Sequence, residues 1–175
     1  RDNEIRYISS ISSAATAGFA GTMAQASLAF RQLDPRYADK LLRTARLAWR
    51  FLENNPAIVP PGGFDNDPEV KTGVYGDTID GDERLFAAAQ LLGATGDQKY
   101  CEYFIGNFRR YDPSDTARLG WQDFRHHAYI SYLLLPEKST SVEVRSEIKR
   151  RFTLFTEKLV CQAEKNGFGV VLKSE

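Results

Sequence analysis

The sequence predicts an all-α fold of three antiparallel helical hairpins, and three observations carry that expectation. Apolar residues recur at three- and four-residue spacing through most of the 175 residues, with no sustained alternation of period two. Helix-stopping steps divide these stretches at Asp34-Pro35, Asp112-Pro113 and Pro136. The stretches also alternate between apolar on nearly every side and amphipathic, the pattern expected when the first helix of each hairpin lines an inner ring and the second faces water. Such hairpins suit an α/α toroid or, on this ground equally, an α-solenoid, although the chain shows no fixed-length repeat.

The first inner helix is read at residues 14–30, where Ala14, Ala15, Ala17, Ala20, Ala24 and Ala26 accompany Phe19, Met23, Leu28 and Phe30 behind several hydroxyl caps. Side chains this small let a neighbouring helix approach closely. Asp34-Pro35 ends that helix and starts the next, because proline is accepted in a first turn. Over residues 36–53 the positions Leu41, Leu42, Ala45, Ala48, Trp49 and Leu52 form one apolar face, with Lys40, Arg43, Arg46 and Arg50 between them. Residues 54–78 are rich in proline and glycine and keep no period, yet Phe64, Val70, Val74 and Tyr75 predict a packed loop rather than a free linker.

This loop delivers Tyr75, Asp77, Asp80, Asp82 and Glu83 to a helix that is apolar all round from 85 to 92 and must be buried. Asp80 and Glu83 fit an N-cap with a carboxylate at the third helical position, a capping box. Gly93 or Gly96 closes the helix. An amphipathic helix after Asp97 carries Tyr100, Tyr103, Phe104 and Phe108 on one side. Residues 119–135 read as a third inner helix through Trp121, Phe124, Ala128, Ile130, Leu133, Leu134 and Leu135, and residues 142–164 as an outer one striped by Val144, Ile148, Phe152, Phe155 and Leu159.

The chain has the length of one domain, 1–175, able to bury a sizeable core. Its 23 basic and 23 acidic residues cancel, which argues against nucleic acid or an anionic membrane as partner and is compatible with a neutral polymer. No apolar run is long enough to span a bilayer, and the opening RDNEIRY has none of the marks of a signal peptide. Cys101 and Cys161 are too few for a disulfide framework, and spacing leaves open whether they pair. His126 and His127 point about 100° apart on a helix and are poorly placed to share a metal, although Asp123 and His127 have workable spacing; no metal site or cofactor is expected.

Several motifs, in order, resemble the family 9 glycoside hydrolases, the cellulase-type enzymes. They are Tyr75-Gly76-Asp77, Asp82-Glu83-Arg84, Ala87-Ala88-Ala89, and Ala94-Thr95-Gly96-Asp97 with Tyr100. The small-residue helix at 12–30 and the run NGFGVVL at 166–172 extend the likeness over almost the whole chain. The resemblance implies an (α/α)6 barrel of six hairpins, of which three make about half. It also implies inverting hydrolysis of β-1,4-linked glycans, cellulose-like, and an extracellular or periplasmic setting.

Glycoside hydrolysis needs a carboxylic acid and a carboxylate in concert. The resemblance implies an aspartate base in an upstream D-A-G-D and a glutamate acid far downstream. This sequence contains no D-A-G-D, and Asn3-Glu4, which looks like the acid's surroundings, lies at the wrong end. No residue here is therefore assigned a catalytic role, the carboxylates at 77, 80, 82 and 83 included. Aromatic rings beside carboxylates suit sugars, whose faces are apolar and whose edges carry hydroxyls. Tyr75 and Asp77 are the first candidates for substrate binding, and Trp121 and Asp123 at the head of the next inner helix are the second. The family usually has tryptophan followed by two acids there, and Gln122 departs from that. The alternatives are a non-catalytic helical-hairpin binding module or another α/α-toroid carbohydrate enzyme such as a lyase. A half barrel leaves open sides, so either self-association or a need for the missing hairpins is expected.

Overall fold

The computed structural model describes residues 8–67, 69–70, 73, 76–112, 120, 122–165 and 167–171, and among them the chain forms six α-helices and no strand. These are α1 (Ser13–Phe30), α2 (Pro35–Asn54), α3 (Gly81–Thr95), α4 (Gln98–Asn107), α5 (Arg125–Leu134) and α6 (Val142–Glu164). Their starts are chemically marked. Ser12, Asp34, Asp97 and Ser141 each accept a backbone N–H of the first turn, and Pro35 follows Asp34 directly. Gly96 closes α3 at a positive φ of 71°.

Helix α3 is the centre of the molecule. Every residue from Gly81 to Leu92 is buried, and the helix packs against α1 on one side and α5 on the other, with α4 behind it. That makes α1, α3 and α5 an inner row and α2, α4 and α6 its outer partners, as the alternating apolarity predicts. Arg43, Arg46, Arg150 and Lys158 on the outer helices are exposed. The α1–α3 contact depends on small residues. Ala17, Ala20 and Ala24 are fully buried, and a Cβ added at Gly21 would lie 2.4 Å from the Phe86 ring and 3.2 Å from the Ala87 Cα. Trp49 of α2 meets Tyr100 and Tyr103 of α4 edge-on at 5.3 and 5.0 Å, joining the first two hairpins on the outside.

The third hairpin is held by fewer, more specific ties. Tyr132 stacks on Phe104 at 4.2 Å, and its hydroxyl accepts the N–H of Ser141 at the head of α6. Arg145 of α6 donates to the carbonyls of Leu133 and Leu135, satisfying the open C-terminal end of α5. The helix expected over 119–135 begins at Arg125, because Phe124 gives its N–H to a side chain of α3 and the chain turns at 122–124 instead of coiling. Ile130 and Leu134, read as core, are exposed, since they lie off the Ala128, Tyr129 and Tyr132 face of α5 that enters the core. Cys101 is buried, Cys161 is exposed, and both are free thiols.

Candidate functional site

The long loop after α2 is tied to the helices where it is described, with Phe64 and Val70 half-buried, while Val74 and Tyr75, on which its expected packing also rested, lie outside the described residues. Ser13 at the head of α1 accepts the N–H of Val59 at 2.9 Å and donates to its carbonyl, clamping the loop to the inner row. Further on, Phe64 and Asp77 exchange both backbone hydrogen bonds, at 2.8 and 2.9 Å, in an isolated antiparallel bridge. Gly63 makes that bridge feasible. Its φ is +93°, and a Cβ there would stand 2.2 Å from the Asp77 carbonyl oxygen. Asp77 is thereby delivered, half-buried, to the N-terminal end of α3, with its Oδ1 accepting the N–H of Ile79.

The N-terminal ends of α3 and α5 lie side by side. Asp82 of α3 accepts the N–H of Phe124 at 2.8 Å, and the Phe86 and Phe124 rings are 5.4 Å apart. Gln122 donates its side-chain amide to the carbonyl of Gly76. The loop carrying Asp77 and the turn carrying Asp123 are therefore bonded to each other, although 46 residues separate Gln122 from Gly76. Of the four substrate-binding candidates, Asp77 and Asp123 fall within this region. Tyr75 and Trp121 lie outside the described residues.

Asp123 is committed to its neighbour. Arg125 grips both of its carboxylate oxygens through Nε and Nη2. Burial opposes ionisation of Asp123, but the hydrogen bonds and charge of Arg125 outweigh it and hold the carboxyl below its ordinary range.

Sequence reasoning placed Asp80 and Glu83 in a capping box, and the structure corrects that. Asp80 stands at the N-cap but makes no side-chain cap bond; it pairs instead with Arg84 at 2.8 Å. Glu83 is buried at 3% exposure beside Asp82 at 4%. Burial, with the charges of Asp82 and Asp77 added, pushes the Glu83 carboxyl up to about 10, so it is protonated at neutral pH. Asp82 is raised as well, by burial first and by Asp123 in addition, while the Phe124 N–H pulls the other way. A proton held between neighbouring carboxyl groups relieves the repulsion of two buried negative charges. Among the described residues, buried Asp82 Oδ1 and Glu83 Oε2 have no partner at hydrogen-bonding geometry. Oxygen-only donors of this kind suit hard cations such as Ca2+. Among the described residues, however, no three His, Cys, Asp or Glu side chains come together as a metal cage. His127 packs against Phe86 and Phe124, and His126 lies between Phe152 and Phe155, so the adjacent rings serve different packing environments.

The sequence holds only a partial signal, because D-E-R opens a helix with no polar face but does not separate a buried pair from a capping box. Arg84 completes the group. Its guanidinium donates to the carbonyls of Leu52 and Asn55 and to Asp80, tying the end of α2 to the start of α3.

An inner row of helices backed by outer partners, with loops gathered at the inner N-terminal ends, is the layout of a segment of an α/α toroid. Residues 2–171 match Glycosyl hydrolase family 9, and the chain belongs to that family. It is 30% identical over 171 residues to Endoglucanase D of Acetivibrio thermocellus, covering 98% of this chain and 27% of that protein. With the Cellodextrinase of Butyrivibrio fibrisolvens it shares 31% identity over 183 residues, covering 98% and 32% respectively. Among solved structures, AaCel9A in complex with cellobiose-like isofagomine superposes with a TM-score of 0.82 at 32% identity, over 94% of this chain and 30% of that one. A metagenome-derived glycoside hydrolase family 9 endoglucanase gives 0.84 at 27% identity, over 97% and 30%. The chain thus spans between about a quarter and a third of the length of these relatives. No helix among the described residues is long and apolar enough to cross a membrane.

Proposed function

We propose that this chain is part of the catalytic domain of an inverting glycoside hydrolase that acts on β-1,4-linked glucans outside the cytoplasm. Residues 1–175 would supply scaffold and one wall of the sugar cleft, with Tyr75, Asp77, Trp121 and Asp123 as substrate-binding residues. The observation that carries this reading is the Gln122-to-Gly76 bond, which joins the two segments chosen as sugar-binding for their place before inner helices. Family membership and relatives named endoglucanase and cellodextrinase support the substrate class.

In this reading Asp77, whose Oδ2 accepts no hydrogen bond among the described residues, offers that oxygen to sugar hydroxyls, and the grip of Arg125 fixes the Asp123 carboxylate in place. The chain alone is expected to bind cello-oligosaccharides and not to hydrolyse them, since D-A-G-D is absent from the sequence. Titration calorimetry with cellotetraose, beside an assay on soluble β-1,4-glucan, tests both halves. Asp77→Asn is expected to weaken binding about tenfold, in keeping with loss of a charge-assisted hydrogen bond. Binding unchanged in Asp77→Asn, or turnover that depends on Asp77, would contradict the assignment.

A further inference from the structure

On the other flank of the α3 first turn lies a recess of about 470 Å³ that the cleft reading does not use. It lies between the C-terminal half of α2, the first turn of α3 and one side of α4, with Tyr111 also lining it. Asp80 and Arg84 face it, whereas Asp82, two residues on and about 200° round the helix, faces α5. Its size falls within the usual range of small-ligand pockets.

The lining is mixed in a specific way. Trp49, Tyr103 and Tyr111 supply aromatic surface, with Leu52 and Pro56 beside them. Burial raises both tyrosine hydroxyls, so they keep their protons and remain donors. Glu53 accepts from Trp49 Nε1 at 2.8 Å and from Lys99 Nζ at 3.1 Å through one oxygen, and its Oε2 takes no hydrogen bond among the described residues. Asn107 uses its amide N–H on the Tyr103 carbonyl and keeps its side-chain oxygen. The Arg84 side chain, which lines the recess, is 6% exposed, and its buried Nε has no partner among the described residues. An orphaned buried donor of this kind is destabilising unless an acceptor reaches it.

Two carboxylates stand against three cations, and Asp80–Arg84 and Glu53–Lys99 are already paired, so no strong field selects an anion. Aromatic walls with unengaged donors and acceptors are what a polyhydroxylated neutral ring requires. We propose that this recess is a second saccharide site, taking a mono- or disaccharide unit such as cellobiose. The choice of sugar rests on the proposed β-glucan function; the site itself rests on the cavity and its unengaged polar groups.

The experiment is a cellobiose titration of the chain followed by NMR, with the Trp49 side-chain N–H as reporter, in the parent and in the Tyr103→Phe, Arg110→Ala and Asp77→Asn variants. Tyr103→Phe keeps the ring in the packing against Trp49 and removes only the hydroxyl; Arg110 is exposed, so its removal leaves the core intact. The expected result is a saturable shift of the Trp49 signal, weakened about tenfold by either recess substitution and unaffected by Asp77→Asn. A Trp49 shift insensitive to both recess variants would overturn the proposal. So would cellobiose binding that fails only in Asp77→Asn, an outcome that leaves the cleft reading standing. No response to cellobiose in any variant, with cellotetraose still bound in calorimetry, likewise removes the second site alone. If neither sugar binds, the β-glucan reading fails with it.

Discussion

Glu83 shows how one residue's surroundings set its chemistry. Its folded-state carboxyl is raised from the ordinary 4.5 to about 10 by burial and by Asp82 and Asp77. The folded chain therefore holds a proton that the unfolded chain has lost over this window. Its stabilising contribution is fully present below pH 4.5 and declines as pH rises towards 10, with a limiting slope of about 1.4 kcal/mol per pH unit. Glu83→Gln cannot lose that proton and is expected to flatten the fall in stability between roughly pH 6 and 9, measured by urea unfolding in the presence of a chelator. An unaltered slope would place the titration elsewhere. Gln122 makes a second residue-scale case. An ionised acid at this position could not donate to the Gly76 carbonyl as this amide does. Gln122→Glu is expected to cost about 1 kcal/mol locally, visible as faster amide exchange at Asp77. Equal exchange rates would mean that the bond does not hold the loop.

For the helices, close approach is the governing fact. Helix α3 has no solvent face, so its neighbours must fit against Leu85, Ala88, Ala89 and Leu92 simultaneously, and α1 does so by presenting alanines and Gly21. Ala88→Leu adds three carbons where exposure is 0% and is expected to destabilise the chain by about 1–3 kcal/mol. A denaturant midpoint equal to that of the parent would show that α3 is not the packed centre. The Arg84 tie is also an element-level device, since it joins α2 to α3 through two backbone carbonyls and one carboxylate. Arg84→Leu leaves Asp80 without its cation and is expected to cost about 3 kcal/mol or more. Loss of far less than this in the same unfolding measurement would mean that water replaces the guanidinium.

The whole molecule combines a dense centre with less covered flanks. Phe19 on α1, Ile130 and Leu134 on α5, and Leu154 and Val160 on α6 are all exposed. Apolar surface in such amounts favours an interface. Sedimentation of the chain at micromolar concentration is expected to show dimers or larger species. A strictly monomeric particle with a cooperative melt would mean that the three hairpins complete their own core without a partner.

How much of this could be read in advance follows from the range of each interaction. Helix ends were legible because their signals are local: Asp34-Pro35 starts α2, and Gly96, one of the two glycines read as closing α3, acts within a few residues. The burial of α3 was legible because a helix with no polar side leaves no other option. The Tyr75–Asp77 and Trp121–Asp123 segments could be chosen as candidates by residue type and by their place before inner helices. The shortening of the helix before Leu134 was not legible, because Phe124 gives its N–H to Asp82, 42 residues away, and that competitor exists only once α3 and α5 are packed. Nor was the fate of Glu83, which shares its local sequence with any capping box. Packing alone removed it from water and set Asp82 and Asp77 around it, so its proton is a property of the folded chain.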